Sequence, residues 1–382
     1  MISRSSRVAL GLLCTASAAV AVAQATKPAA SAPASTTTTT SAKPWVAPGT
    51  KGSPINGELF HAQVLLSAQA FSPGVIDGKD GESFKLSLSS FQRARGLDPT
   101  GKLDQDTRQA LLQANRPSTV MVRLGPDDVR SRYVFPFPKT PEGQADLKFL
   151  GYRNMLEKVA ERYHTTPDTI VALNGPDKLI GLGQTLRLPN VVPTSTDYGA
   201  AKGNAAMVFA ALNIDAEQPQ GDYVVVDKSE GVLKVYRGPI PAGAAGPAEG
   251  GSDNASDDNT ADVRPVAQLV AAFPVTMGSK QYPLPIGRWK ATTYAYLPPF
   301  LYQPDLLEHA KSDKELRLPP GPNNPVGVAW LDLTKEHYGI HGTPEPQTIG
   351  RAESSGCIRM TNWDVLRLSR MMKPGFTAIF QA

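Results

Sequence analysis

Cysteine is nearly absent: the 382 residues contain two, Cys14 and Cys357. That scarcity excludes a disulfide scaffold. No run of Lys and Arg alternates with aromatics. The formal charge is only +4, and about +2 once Arg4 and Arg7 leave with the N-terminal segment described below, so no nucleic acid partner is expected. No apolar stretch reaches the ~20 residues that a spanning helix needs, so no stable membrane insertion is expected after the N-terminal segment is removed. Histidine is also scarce: His61, His164, His309, His337 and His341. By contrast, Gly (33) and Pro (34) are abundant, which points to loops and linkers between folded parts.

Residues 1–25 have the form of a secretory signal. Arg4 and Arg7 give a basic start, Val8 to Val22 is apolar and Ala-rich, and Ala21-Val22-Ala23 and Ala23-Gln24-Ala25 offer small residues for cleavage. Cys14 would leave with this segment; Leu12 and Leu13 before it do not suit a lipidation site. The expected location is secreted. Residues 26–54, rich in Pro, Ala, Ser, Thr and Lys and including Thr36 to Thr40, form a tether that cannot bury a core. Residues 239–262 are Gly-, Ala-, Ser-, Asn- and Asp-rich and are expected to be a flexible surface insertion. The remaining chain divides into 55–115, 143–191 and 222–382, a multidomain α+β protein.

The first segment is helical. Val64, Leu65, Ala68 and Phe71, then Phe84, Leu88 and Phe91, recur at helical spacing, with the Gly-rich turn Gly74 to Gly81 between them. A fainter echo, Gly101-Lys102-Leu103-Asp104, precedes a helix over Thr107–Leu112. The pattern Ile76-Asp77-Gly78 … Phe91-Gln92-Arg93-Ala94-Arg95-Gly96-Leu97 … Thr100-Gly101 resembles the small three-helix peptidoglycan-binding domain. That resemblance implies wall binding, with Asp77 shaping a turn. In the second segment Leu156, Val159, Ala160 and Tyr163 line one helix, and Ile170 and Leu173 a second that starts at Thr166-Pro167-Asp168. Asn174-Gly175, Gly183-Gln184 and the strand Thr185 to Pro189 follow. This order resembles a LysM glycan-binding module of α/β type, although its usual first strand is not legible upstream.

The third segment reads as short strands over 222–227, 232–236, 269–275, 288–296, 327–331, 338–341 and 376–380, with one helix over 364–372. A mainly-β, sandwich-like domain is expected. Cys357 lies in Ser354-Ser355-Gly356-Cys357-Ile358-Arg359-Met360, sixteen residues after His341. A thiol needs a base or a positive neighbour to attack. His341 titrates near neutrality and can serve, with a backbone carbonyl such as that of Gly342 holding its tautomer. Consecutive amides at Ser355, Gly356 and Cys357 can bind an oxyanion. Arg359 offers a permanent cation for a carboxylate or for propping the loop. The chemical rival is a metal set of His337, His341 and Cys357, but Glu336 precedes His337 where a zinc-protease helix needs the Glu after its first His.

The segments Ile340-His341-Gly342-Thr343, Ile349-Gly350-Arg351, Ser354 to Met360 and Asn362 resemble the signature of the L,D-transpeptidase catalytic domain, and Pro285-Ile286-Gly287 resembles its upstream segment. The resemblance covers 222–382. It implies Cys357 as nucleophile, His341 as base, the 355–357 amides at the oxyanion and Arg359 in the site. Many members carry His where this chain has Ser355, so no proton transfer is assigned there. The implied reaction is acylation of Cys357 by a peptidoglycan tetrapeptide stem with release of D-Ala. Transfer to an amine would then give 3→3 cross-links. Transfer to water, transfer to a protein Lys, hydrolysis of an existing link, and a non-catalytic wall-binding role are alternatives. The implied partners are peptidoglycan stems and glycan, and carbapenem-type inhibitors. Sulfur chemistry implies no cofactor and no metal.

Overall fold

The computed structural model describes residues 50–241, 266–307, 310–351 and 356–382. The expected signal, most of the tether, the insertion from residue 242 onward, His309 and Ser355 lie outside the described residues. Among the described residues no helix is long and apolar enough to cross a membrane.

The N-terminal region is helical. α1 (Gly57–Ala68), α2 (Glu82–Ala94) and α3 (Gln105–Leu112) pack around Leu65, Leu66, Phe71, Phe84, Leu88, Phe91 and Leu111. Side-chain oxygens satisfy the amides that a helix start leaves without partners: Asn56 accepts from Glu58 and Leu59, and Asp104 from Thr107. Asp77 has a structural setting. Its carboxylate accepts from the Lys79 amide and the Gln63 amide group, while Gln63 Oε1 accepts from the amides of Asp77 and Gly78.

A second group of elements follows: β1 (Thr119–Arg123), α4 (Pro126–Val129), α5 (Pro141–Ala145), α6 (Met155–Arg162), α7 (Pro167–Asn174) and β2 (Thr185–Pro189). β1, which no local pattern marks in the sequence, pairs antiparallel with β2, Thr119 opposite Pro189. It precedes residue 143, because two short helices and their loops separate it from α6. Asn174 ties α7 to β2 by donating to the Arg187 carbonyl and accepting from the Arg187 amide.

After α8 (Asn204–Ala211) the chain is mainly β: β3 (Tyr223–Asp227), β4 (Val232–Arg237), β5 (Gln268–Pro274), β6 (Thr276–Met277), β7 (Gly287–Tyr296), β8 (Phe300–Tyr302), β9 (Leu316–Leu318), β10 (Ala329–Leu333), β11 (Gly339–His341), β12 (Ile358–Arg359) and β13 (Thr377–Gln381), with α9 (Asn362–Met371) before the last strand. All but β8 and β9 form one nine-stranded sheet in the order β5-β4-β3-β13-β7-β10-β11-β12-β6. The strands expected to make a sandwich are therefore continuous through β7, whose first residues pair with β13 and whose last pair with β10. β8 and β9 form a separate hairpin packed on Phe137, Leu147 and Leu150. α9 buries Trp363, Val365, Leu366, Leu368 and Met371 in the main core.

Candidate active site

The centre of the site is the parallel pair β11–β12, in which Ile340 faces Ile358 and His341 faces Arg359. The register puts Arg359 on the same face as His341. Cys357 lies in the turn just before β12, with its thiol near the His337 carbonyl, the Gly339 backbone and Arg359. β6 closes the other side of β12, and the Met360 amide donates to the His341 carbonyl at 2.8 Å, so the backbone under these side chains is held from both directions.

His341 is buried, its ring stacked on Trp330 at 5.3 Å between centroids and 15° between planes. Gly339 makes this possible, since a Cβ there would lie 2.4 Å from the indole. His341 Nδ1 sits 2.7 Å from the Gly342 carbonyl oxygen. A carbonyl only accepts, so Nδ1 carries the proton and Nε2 is left as the basic nitrogen. Burial, aided by the Arg359 charge, lowers the His341 pKa to about 3, so the ring is neutral at physiological pH.

Cys357 is half-buried and its thiol donates to the His337 carbonyl at 3.6 Å. Burial pushes the thiol up to about 11, with the Asp332 carboxylate adding to the rise; a hydrogen bond from the Gly339 backbone and the Arg359 charge pull the other way. At rest the pair is thiol and imidazole, both uncharged. Arg359 is half-buried, and burial lowers its pKa while the nearby Cys357 and Glu345 oppose the shift. Gly356 has φ +99°, a left-handed conformation that favours glycine, and a Cβ there would meet the Tyr338 ring at 2.7 Å. The turn that presents the Cys357 amide therefore depends on Gly356.

The metal alternative does not assemble. His337 is 54% exposed and faces Glu336, whereas His341 is buried, and no group of three His, Cys, Asp or Glu able to hold a metal occurs among the described residues. His61 bonds the Arg116 carbonyl, and His164 is buried, bonded to the Leu212 carbonyl and stacked on Trp363.

Reasoning from sequence left out three residues that shape the site. Trp330 covers the imidazole, Tyr338 packs beside Gly356 and Cys357, and Asp332 accepts from Trp330 Nε1 at 3.1 Å. Trp330 and Tyr338 lay inside runs read as strands, and residue type alone does not say which strand face meets the thiol. Asn362 belongs to the motif, and its carboxamide is enclosed by Gly327 and Gly342: a Cβ at either would lie 1.9 or 2.1 Å from Asn362 Oδ1.

A helical region thus precedes a mainly-β domain that carries an imidazole and a guanidinium on adjacent strands and a thiol in the turn before the second. The family model of the L,D-transpeptidase catalytic domain matches residues 254–380, and that of a peptidoglycan-binding domain matches 57–111. The chain carries an L,D-transpeptidase catalytic domain and a peptidoglycan-binding domain. Among curated relatives it is similar to the YkuD proteins of Bacillus licheniformis (55% identity over 56 residues, 15% of this chain and 34% of that one) and Bacillus subtilis (54% over 54 residues, 14% and 33%), both assigned by name to the L,D-transpeptidases. The aligned stretch spans about a third of the length of these relatives. Among solved structures it is similar to L,D-transpeptidase 3 from Mycobacterium tuberculosis (18% identity, 42% of this chain and 60% of that one, TM-score 0.27) and the L,D-transpeptidase from Xylanimonas cellulosilytica (12%, 89% and 98%, TM-score 0.33). Overlaps this loose add nothing on the fold.

Proposed function

We propose that this protein is a cysteine L,D-transpeptidase of the peptidoglycan layer. The observation that carries the reading is the β11–β12 pair, which sets Arg359 across from an imidazole whose Nδ1 is held by the Gly342 carbonyl, with Cys357 in the turn that enters β12. Because thiol and imidazole are both uncharged at rest, attack is general-base assisted rather than the work of a preformed thiolate. The sulfur attacks the carbonyl of the third stem residue while its proton passes to His341 Nε2. The oxyanion takes hydrogen bonds from backbone amides at 355–357. The intermediate then collapses as the imidazolium returns the proton to the departing D-Ala nitrogen, leaving a thioester on Cys357. An amine of a neighbouring stem attacks the thioester, His341 accepts its proton, and the sulfur leaves and is reprotonated. A diaminopimelate side-chain amine gives a 3→3 cross-link. Arg359 is suited to a substrate carboxylate.

The peptidoglycan-binding domain supports a wall substrate. The pairing of β1 with β2 around α6 and α7, with the short α4 and α5 also between the strands, supports a LysM-like module for glycan, with its first strand at 119–123. The N-terminal pattern supports export to a periplasmic, wall-associated location.

Defined muropeptides incubated with the protein and read by mass spectrometry test the proposal. Cross-linked dimers are expected; trimmed stems would mean an L,D-carboxypeptidase, split dimers a hydrolase, and no change a wall-binding protein without catalysis. Cys357→Ala is expected to abolish turnover and keep sedimentation with purified walls. A carbapenem is expected to add one covalent equivalent at Cys357, because its strained ring carbonyl presents the same acyl electrophile; an unchanged intact mass would speak against the nucleophile.

A further inference from the structure

The imidazole is positioned through a chain of contacts that begins outside the catalytic domain. His341 Nδ1 donates to the Gly342 carbonyl at 2.7 Å, and the Gly342 amide donates to the Ala329 carbonyl at 3.2 Å. Against the Cα of Gly342 lies the Asn362 carboxamide, so close that a Cβ would be 2.1 Å from Oδ1. Asn362 Oδ1 accepts from the Val328 amide at 3.1 Å, which leaves Nδ2 to find acceptors elsewhere. One is the Pro322 carbonyl at a long 3.3 Å; the other is Glu161 Oε1 at 2.5 Å. Glu161 is a buried residue of α6, in the LysM-like part of the chain, and its separation of 201 positions from Asn362 makes this a joint between distant parts of the chain.

We infer that Glu161 is a positioning residue for His341: by holding the Asn362 carboxamide in one orientation against Gly342, it fixes the carbonyl that sets the imidazole tautomer. The inference rests on the reading of His341 as the base. The resemblance that identified the site assigns nothing to α6. The α6 helix thereby has a part in the chemistry that wall binding alone does not require. Without the Glu161 acceptor, Nδ2 keeps only the long bond to Pro322. The carboxamide can then turn, and the Gly342 carbonyl loses its backing. Misplacing a reacting group by about 1 Å can cost up to roughly a hundredfold in rate.

The test compares Glu161→Ala, which removes the acceptor, with Glu161→Gln, which keeps an oxygen at Oε1. Arg162→Ala is the control, because Arg162 docks the same helix through the Ala210 and Ala211 carbonyls without reaching Asn362. The first readout is steady-state turnover of a tetrapeptide donor. Glu161→Ala is expected to lower kcat about tenfold with KM within about twofold, Glu161→Gln to recover most of the loss, and Arg162→Ala to leave kcat unchanged. The second readout needs no turnover: the ¹⁵N shifts of the His341 ring in each full-length variant. Wild type is expected to show the Nδ1–H tautomer and Glu161→Ala a mixture. A single Nδ1–H tautomer in Glu161→Ala, or an equal loss of kcat in Arg162→Ala, overturns the inference. Inactive wild type with the expected shifts would instead overturn the assigned reaction and leave the positioning contact standing.

Discussion

At the scale of single residues, the two reacting groups are displaced in opposite directions by the same cause. Burial disfavours any charge, so it raises the acid Cys357 to about 11 and lowers the base His341 to about 3. The pair gains reactivity only when substrate draws the proton across, which protects the thiol from general alkylation and oxidation. Alkylation of Cys357 by iodoacetamide, followed by intact mass, is therefore expected to be slow at pH 7 and to climb about tenfold per pH unit through pH 9 to 10, without a plateau below about 11. A plateau near pH 7 would mean a preformed thiolate–imidazolium pair and would remove the general-base step. His341→Ala is expected to abolish turnover while leaving this alkylation profile nearly unchanged, because His341 is not a source of positive charge at rest.

At the scale of elements, the site is made by backbones that approach closely, and glycine allows the approach. A side chain at 342 would collide with Asn362, and one at 339 with Trp330. Gly342→Ala is expected to cost about 1–3 kcal/mol in urea unfolding, the range for overpacking a filled core, and to lower kcat at least tenfold because it pushes the carbonyl that holds His341. Unfolding and turnover unchanged from wild type would show that Asn362 yields freely and that the contact does not matter. Much of this was legible beforehand. The strands around 223–227, 232–237, 268–274 and 287–296 alternate or run apolar between turns, and α9 has one apolar stripe, so local pattern exposes them. β12 and β6 are two residues each, too short to show a period, and exist because β11 and the backbone around Thr276 offer them partners. β1 was missed for a related reason: its partner β2 lies beyond four helices, and only the pairing of Val120 with Leu188 and Val122 with Leu186 explains its residues. Cys357 and His341 stand out as candidates through their motif, whereas Trp330 and Glu161 act through contacts that no spacing encodes.

At the scale of the whole molecule, the α1–α3 region, the α6–α7 region and the β-sheet domain meet on α9. Ser72 donates to Asp364 Oδ2 at 2.7 Å, Arg367 Nη2 donates to the Ser67 carbonyl at 2.8 Å, His164 stacks on Trp363 at 5.1 Å, and Glu161 holds Asn362. A helix shared in this way ties its partners together, so urea is expected to unfold the described modules in one transition. The same joint contains groups whose responses to acid oppose one another. His164 and His341, both lowered to about 3, stay neutral in the fold while the unfolded chain takes up protons near pH 6.5; their contribution is complete above that value and is lost as pH falls toward 3. Glu161 and Asp364, raised by burial to about 7 and about 6, take up protons in the fold before the unfolded chain does; stability is gained as pH falls through those values toward the ordinary carboxylate range near 4. The two effects offset each other between about pH 4.5 and 6.5, so the urea midpoint is expected to be nearly flat there. It should fall below about pH 4, where only the histidines, and carboxylates such as Asp215 and Asp227 that the fold holds below their usual range, still differ between the states. Glu161→Gln removes one of the two gains. That variant is expected to lose stability relative to wild type as pH drops from 6.5 to 4.5, at up to roughly 1.4 kcal/mol per pH unit, while the curves run parallel below pH 4. Parallel curves over the whole range would mean that Glu161 titrates as it does in the unfolded chain, and that the α6–α9 joint is wet rather than sealed.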